Sequence, residues 1–153
     1  MIINQQRIFA DSYQFYVFDS SCNHYKELSW ENNTKLKYDY IASDSAIYVS
    51  TVSDLNDHRL RVYTNEEPVD CKYQRVFKRQ ININSGKLII SSPSCSEDEE
   101  IIIKLKKGTY SISICSNSIG KDLFSYGEKY QEEMSEDEYL MHDCFEYYDI
   151  YIQ

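Results

Sequence analysis

The sequence predicts an all-β protein, an antiparallel β-sandwich of about eight short strands with at most a short helix in 128–142. Three observations predict it. Tyr is abundant (15) while Gly (4) and Pro (2) are scarce, and Tyr favours pleated surfaces that are half wet. Short runs of apolar and polar alternation recur between turn-forming residues along most of the chain. In Thr109–Cys115, Tyr110, Ile112 and Ile114 share one face and Ser111 and Ser113 the other, as expected of a strand with one face in water.

The elements follow in order. Ser12–Phe18 is a compact β run that Asp19-Ser-Ser ends, and Asn32-Asn-Thr34 reads as a turn after the isolated Trp30. Ser45–Thr51 and Leu60–Thr64 are two short strands joined through the polar Ser53–His58, and Glu66-Glu-Pro68 breaks the chain again. Val76–Ile83 and Lys87–Ile90 flank Asn84-Ser-Gly86, a hairpin signal with a glycine available for positive φ. After the loop Ser91–Asp98, Glu100–Leu105 and Thr109–Cys115 are joined by Lys106-Lys-Gly108, a second hairpin signal. Residues 116–141 hold no strong strand, and the only helical pattern, loosely periodic, falls on Gln131–Met141. Phe145–Ile152 closes the chain as a last strand, and no long internal repeat is visible.

One domain over 1–153 is expected, large enough to bury roughly two-thirds of the surface it exposes unfolded. The charged (27%) and hydrophobic (42%) fractions are those of a globular chain. Met1-Ile-Ile-Asn-Gln-Gln-Arg-Ile8 has neither a basic nor an apolar leader region, and no apolar run approaches the ~20 residues of a membrane span. The five cysteines (22, 71, 95, 115, 144) are odd in number and widely spaced, which suits reduced thiols and a cytoplasmic location.

Charge is the feature that speaks to function. Glu128–Asp149 carries nine acidic side chains and one basic one, and so most of the formal net charge of −9. An ordered acidic, Tyr-rich surface repels phosphate and argues against a nucleic-acid partner. The same surface suits a basic protein, whose Arg and Lys pair with carboxylates and lie on Tyr rings. Arg59–Arg79 holds six basic residues against Glu66, Glu67 and Asp70; that run reads as a solvated strand face that offsets acidic neighbours.

Other chemistry is weakly supported. Cys22-x-His24 and His142-x-Cys144 offer four zinc-type ligands, but at a spacing tighter than the usual knuckle, so no metal and no cofactor is expected. Glu97-Asp-Glu-Glu100 could serve an interstrand calcium site, which makes a calcium- or glycan-binding β-sandwich module the alternative function. No nucleophile elbow, metalloprotease motif or phosphate loop appears, and His142-Asp143-Cys144 places thiol and imidazole together in sequence only. A binding protein, not an enzyme, is expected.

The partner surface is expected at the C-terminal end. In the last strand Phe145, Tyr147, Asp149 and Tyr151 share one face, with Glu146, Tyr148, Ile150 and Ile152 on the other. Burying the Ile-bearing face leaves Tyr147 and Asp149 outward, beside Glu136, Asp137, Glu138, Tyr139 and Asp143. These seven residues are the candidate partner-binding set.

Several blocks carry more than a pattern. Ser12-Tyr13…Phe15…Val17-Phe18, Trp30, Tyr40-x-Ala42-x-Asp44-x-Ala46-Ile47, Leu105-x-Lys107-Gly108-x-Tyr110 and the closing Tyr147–Ile152 follow one another here in a fixed order. That succession resembles the competence protein J family, described as the inhibitor of the bacterial DNA-entry nuclease. The order is kept from residue 12 to the C-terminus, with departures in the extra length around 64–75 and the enlarged acidic segment 128–144. The resemblance implies an inhibitor of a DNA-entry nuclease; joined to the charge argument, it leads to the expectation of a basic nuclease as partner, either a DNA-entry nuclease or a nuclease toxin for which the chain is the immunity protein. It transfers no site residues; those rest on charge.

Overall fold

The computed structural model describes residues 1–10, 14–23, 40–51, 56–93, 95–118 and 146–153. They form ten strands: β1 (Ile2–Ala10), β2 (Gln14–Asp19), β3 (Tyr40–Ala42), β4 (Ala46–Ser50), β5 (Asn56–Thr64), β6 (Arg75–Ile83), β7 (Lys87–Ser91), β8 (Ile101–Lys104), β9 (Gly108–Ser118) and β10 (Glu146–Ile152). Single 3₁₀ turns lie at Asp70–Lys72 and Glu97–Glu99, and no α-helix occurs among the described residues. The interval 128–142, where a short helix is expected, lies outside them. The first sheet has the order β1-β5-β10-β9-β6 and the second β3-β4-β2-β7-β8. The expected sandwich is present.

Aliphatic and aromatic side chains from both sheets fill the space between them. Phe15, Val17, Ile47, Val49, Leu88, Ile90, Ile101 and Ile103 of the second sheet join Leu60, Val62, Ile81, Ile112, Ile114, Tyr148 and Ile150 of the first in one cluster. Each such side chain, fully buried, contributes roughly 1.5–3 kcal/mol relative to exposure. Polar groups tie the layers at one end. Arg75 donates from Nη1 and Nη2 to the Ser50 carbonyl (3.1 Å each) and from Nη2 to the Tyr148 hydroxyl (2.8 Å). Tyr148 also meets Phe15 edge-on at 4.8 Å, and Tyr40 stacks on Phe77 at 4.4 Å, each pair spanning the two sheets.

Three expectations need correction. The sheet is not wholly antiparallel: β10 runs antiparallel to β9 but parallel to β5. Two strands are not legible in the sequence. β1 has a polar middle, Asn4-Gln-Gln6, typical of an edge strand, and β3 is three residues long. Finally, neither predicted hairpin pairs its own flanking strands. The chain passes from the first sheet to the second between β6 and β7, and back between β8 and β9.

The pairing explains the third difference. β6 pairs with β9 from Arg75↔Ser116 to Ile83↔Gly108, and β7 pairs with β8 from Lys87↔Lys104 to Ile90↔Ile101. Residues 75–91 and 101–118 therefore form one long antiparallel ribbon, folded over at its middle so that each half lies in a different sheet. Its corners touch: the Leu105 N–H donates to the Gly86 carbonyl at 2.9 Å. Gly86 turns there with φ +77°, and a Cβ would sit 3.1 Å from the Leu105 oxygen, so glycine serves both the turn and the close approach. Gly86 does mark a turn, but a turn residue does not say which strand its neighbours will pair with.

Asp19, at the end of β2, fastens the same corner. It accepts from the Ser85 N–H (3.1 Å) and from the hydroxyls of Ser85 and Ser21. Burial pushes its carboxyl up; those bonds, with the Asn84 and Ser85 backbone amides, outweigh burial and leave it below the ordinary 3.8.

Candidate functional site

Two alternating strands meet residue for residue at the middle of the first sheet. β5 reads Arg59-Leu-Arg-Val-Tyr63 and β10 reads Tyr147-Tyr-Asp-Ile-Tyr151. Period 2 sends Leu60, Val62, Tyr148 and Ile150 into the core and the others to the outer face. The parallel register pairs Tyr147 with Arg59, Asp149 with Arg61 and Tyr151 with Tyr63.

A ladder of three unlike contacts results. The Arg59 guanidinium lies 4.7 Å from the centre of the Tyr147 ring. Arg61 donates to both Asp149 oxygens, Nε to Oδ1 at 2.7 Å and Nη2 to Oδ2 at 2.9 Å. Tyr63 and Tyr151 stack with centroids 4.6 Å apart and planes 11° from parallel. Tyr73, just beyond the 3₁₀ turn at Asp70–Lys72, closes the group: its hydroxyl donates to Asp149 Oδ2 at 2.7 Å and lies 2.7 Å from the Tyr151 hydroxyl.

Burial chiefly pushes the hydroxyls of Tyr63, Tyr73 and Tyr151 above the ordinary 10.0, and the nearby Asp149 charge acts in the same direction on each. Asp149, bonded to Arg61, raises that guanidinium further despite its partial burial. Tyr63, Tyr73 and Tyr151 therefore stay neutral at physiological pH around the two-pronged Arg61–Asp149 contact. What the patch can do is present aromatic rings.

The predicted residues fall out unevenly. The Ile-bearing face of β10 is buried and Tyr147 is half-buried on the outer face, as expected. Asp149 is on the outer face, as alternation predicts, but it is covered there: it is 5% exposed, with Arg61 and Tyr73 bonded to its carboxylate. Glu136, Asp137, Glu138, Tyr139 and Asp143 lie outside the described residues, as do His24, His142 and Cys144. The described part of this face is not acidic, since Arg59, Arg61 and Lys78 accompany Asp149 there. The basic run splits: Arg59 and Arg61 face β10, Arg75 reaches between the sheets, and Lys78 and Arg79 are exposed on the β6 edge.

Sequence reasoning missed Arg59, Arg61, Tyr63 and Tyr73 as members of the patch. A signal existed in the matched alternations of 59–63 and 147–151, but it can be used only once parallel pairing is known. At the Glu97–Glu100 turn, Ser96 donates to Glu99 (2.9 Å) and Ser91 to Glu100 (3.2 Å). Among the described residues no group of three or more His, Cys, Asp or Glu is placed to hold a metal, and no helix is long and apolar enough to cross a membrane.

No protein-family model matches the chain, and no curated protein matches it in sequence. Solved structures do. The chain is similar to the crystal structure of ComJ from Bacillus subtilis, an inhibitor of the DNA-degrading activity of NucA, with TM-score 0.67 and 15% identity over 99% of this chain and 96% of that one. It is also similar to the structure of the protein named Crocagin biosynthetic gene J, with TM-score 0.55 and 12% identity over 96% and 94%. At these identities the likeness is one of fold.

Proposed function

We propose that this protein is a nuclease inhibitor of the competence protein J type, acting in the cytoplasm on a basic nuclease. The observation that carries the reading is the end-to-end structural overlap with ComJ, itself an inhibitor of a DNA-degrading nuclease. The net charge of −9 adds to it. A nuclease that grips phosphate carries a cationic cleft, and an acidic partner is steered toward such a cleft, with association accelerated by ~10–10³-fold.

The contact set proposed is Tyr147 with Glu136, Asp137, Glu138, Tyr139 and Asp143. Asp149 drops out of it, because its carboxylate is already taken by Arg61 and Tyr73. A Tyr ring beside carboxylates suits an Arg- or Lys-rich surface, the ring contributing affinity and the rim charges the on-rate.

The experiment is titration of the pure protein into a DNA-degradation assay, with NucA and the nuclease encoded nearest its own gene as targets. Stoichiometric loss of activity is expected for at least one. The fourfold variant Glu136→Lys/Asp137→Lys/Glu138→Lys/Asp143→Lys should associate more slowly and with a weaker salt dependence, and Tyr147→Ala should dissociate faster. Full nuclease activity at excess inhibitor for both targets defeats the reading. Inhibition that ignores both variants moves the interface elsewhere.

A further inference from the structure

The outer face of the second sheet carries a groove that the C-terminal surface does not use. Phe18, Ile89 and Ile102 stand opposite one another across β2, β7 and β8 and form an apolar row. Exposure rises along it: Phe18 is buried, Ile89 half-buried, and Ile102 is 51% exposed although it is a large aliphatic residue. The groove over this row measures about 780 Å³ and is bounded on one side by Glu97, Asp98 and Glu100. No Lys or Arg is among the described residues lining it. Lys87 and Lys104 stand paired on the same face two positions further along β7 and β8, so the surface has an acidic end and a basic end.

Apolar floor and one-sided charge together select an occupant. A purely apolar ligand leaves three carboxylates unused, and an anionic one meets them unfavourably. An extended basic segment that carries an aliphatic side chain satisfies both, with the side chain on Ile89 and Ile102 and its Lys or Arg neighbours toward the turn. We propose that this groove is a docking site for such a segment of a basic protein partner. The inference deepens the proposed function and rests on it for the basic character of the partner. It gives the inhibitor a second contact surface, on the sheet opposite Tyr147.

The test uses the full chain, isotope-labelled, and the blocked peptide Lys-Arg-Ile-Arg-Lys at low salt, read by amide chemical shifts. Shifts should concentrate at residues 97–102, near Ile89 and at 18–23. Glu97→Lys/Asp98→Lys should bind the peptide about fivefold more weakly, the loss of two exposed ion pairs. Ile102→Ser should weaken binding to a similar degree, about one aliphatic contact. All three positions are exposed, so an unchanged remaining spectrum certifies the fold. Three results overturn the proposal: shifts confined to the C-terminal segment, equal affinity in both variants, or self-association through the same amides without peptide. The peptide arm needs no nuclease. If the peptide binds while no nuclease is inhibited, the groove stands and the inhibitor reading falls. If a nuclease is inhibited while the peptide does not bind, the inhibitor reading stands and the groove falls.

Discussion

Arg61 and Asp149, 88 residues apart in sequence, form a two-pronged ion pair between neighbouring parallel strands. Planar guanidinium and carboxylate match each other in this geometry, and both bonds are charge-assisted. The Asp149 side chain is 6% exposed and that of Arg61 29%. The pair is therefore screened less than a surface bridge, and removing one member leaves the other poorly solvated. It sits at the centre of a five-stranded sheet, where it fixes which residue of β5 faces which of β10.

Asp149→Asn should lower stability by about 2 kcal/mol, between the values for exposed and fully buried pairs. The urea midpoint should fall with the denaturant slope unchanged. Arg61→Met combined with Asp149→Leu should recover more than half of the loss. A single variant that unfolds at the parent's midpoint would show that the pair contributes nothing.

Tyr73→Phe should change the alkaline limb. The folded protein holds the Tyr73 proton above the ordinary 10.0 because the side chain is partly buried and its hydroxyl bonds to Tyr151 and Asp149. The folded form then binds the proton more tightly than the unfolded one, so stability falls as pH rises above 10.0. Phe at this position should make that fall shallower, while losing about 1 kcal/mol at neutral pH for the missing hydrogen bond. Equal slopes above pH 10 in parent and variant would contradict the assignment.

Asp19 governs the acid limb in the opposite sense. Its folded value lies below the ordinary 3.8, so its contribution is fully present above 3.8 and is lost as pH falls through the depressed folded value. Asp19→Ala should lower neutral stability by about 2 kcal/mol, since Ser85 loses its acceptor. It should also flatten the loss of stability below pH 3.8. The check is a series of denaturant titrations from neutrality down to strongly acidic pH, and a parallel decline in both proteins would exclude this role.

Gly86→Ala should cost about 1–2 kcal/mol, from the φ of +77° and the approach to the Leu105 oxygen. Gly86→Asn should cost less, because Asn tolerates positive φ better than Ala. Thermal unfolding of the two variants beside the parent measures the order, and an Ala variant as stable as the parent would mean that the corner relaxes freely.

Much of the fold was legible because burial writes itself into local alternation. Val76–Ile83, Thr109–Cys115 and Glu146–Ile152 each announce a strand with inward Ile, Phe or Tyr, and each forms one. Partner choice is not written locally. The parallel contact of β10 with β5 depends on how the chain returns after a long excursion, and nothing in Tyr147–Ile152 states it. The site suffers from the same gap. Tyr147 is where alternation puts it, whereas Asp149 looks like an offered charge until Arg61 and Tyr73 come beside it from other parts of the chain. β1 escaped notice because its Asn4-Gln-Gln6 centre lacks the apolar residues that reveal a strand.

The folded-over ribbon of residues 75–118 has a kinetic consequence. Its pairings are nested around one tip between β7 and β8, so each rung closes only a small additional loop once the rung before it has formed. Zipping from that tip builds part of both layers in a single local event, with the inter-sheet corner included. The β5–β10 contact, by contrast, joins segments 88 residues apart and must await a long closure, which is slow in chains dominated by distant pairings. In refolding followed by pulsed hydrogen exchange, amides of β6 to β9 should gain protection first and those of β5 and β10 last, so that the surface bearing Tyr147 matures only when folding is complete.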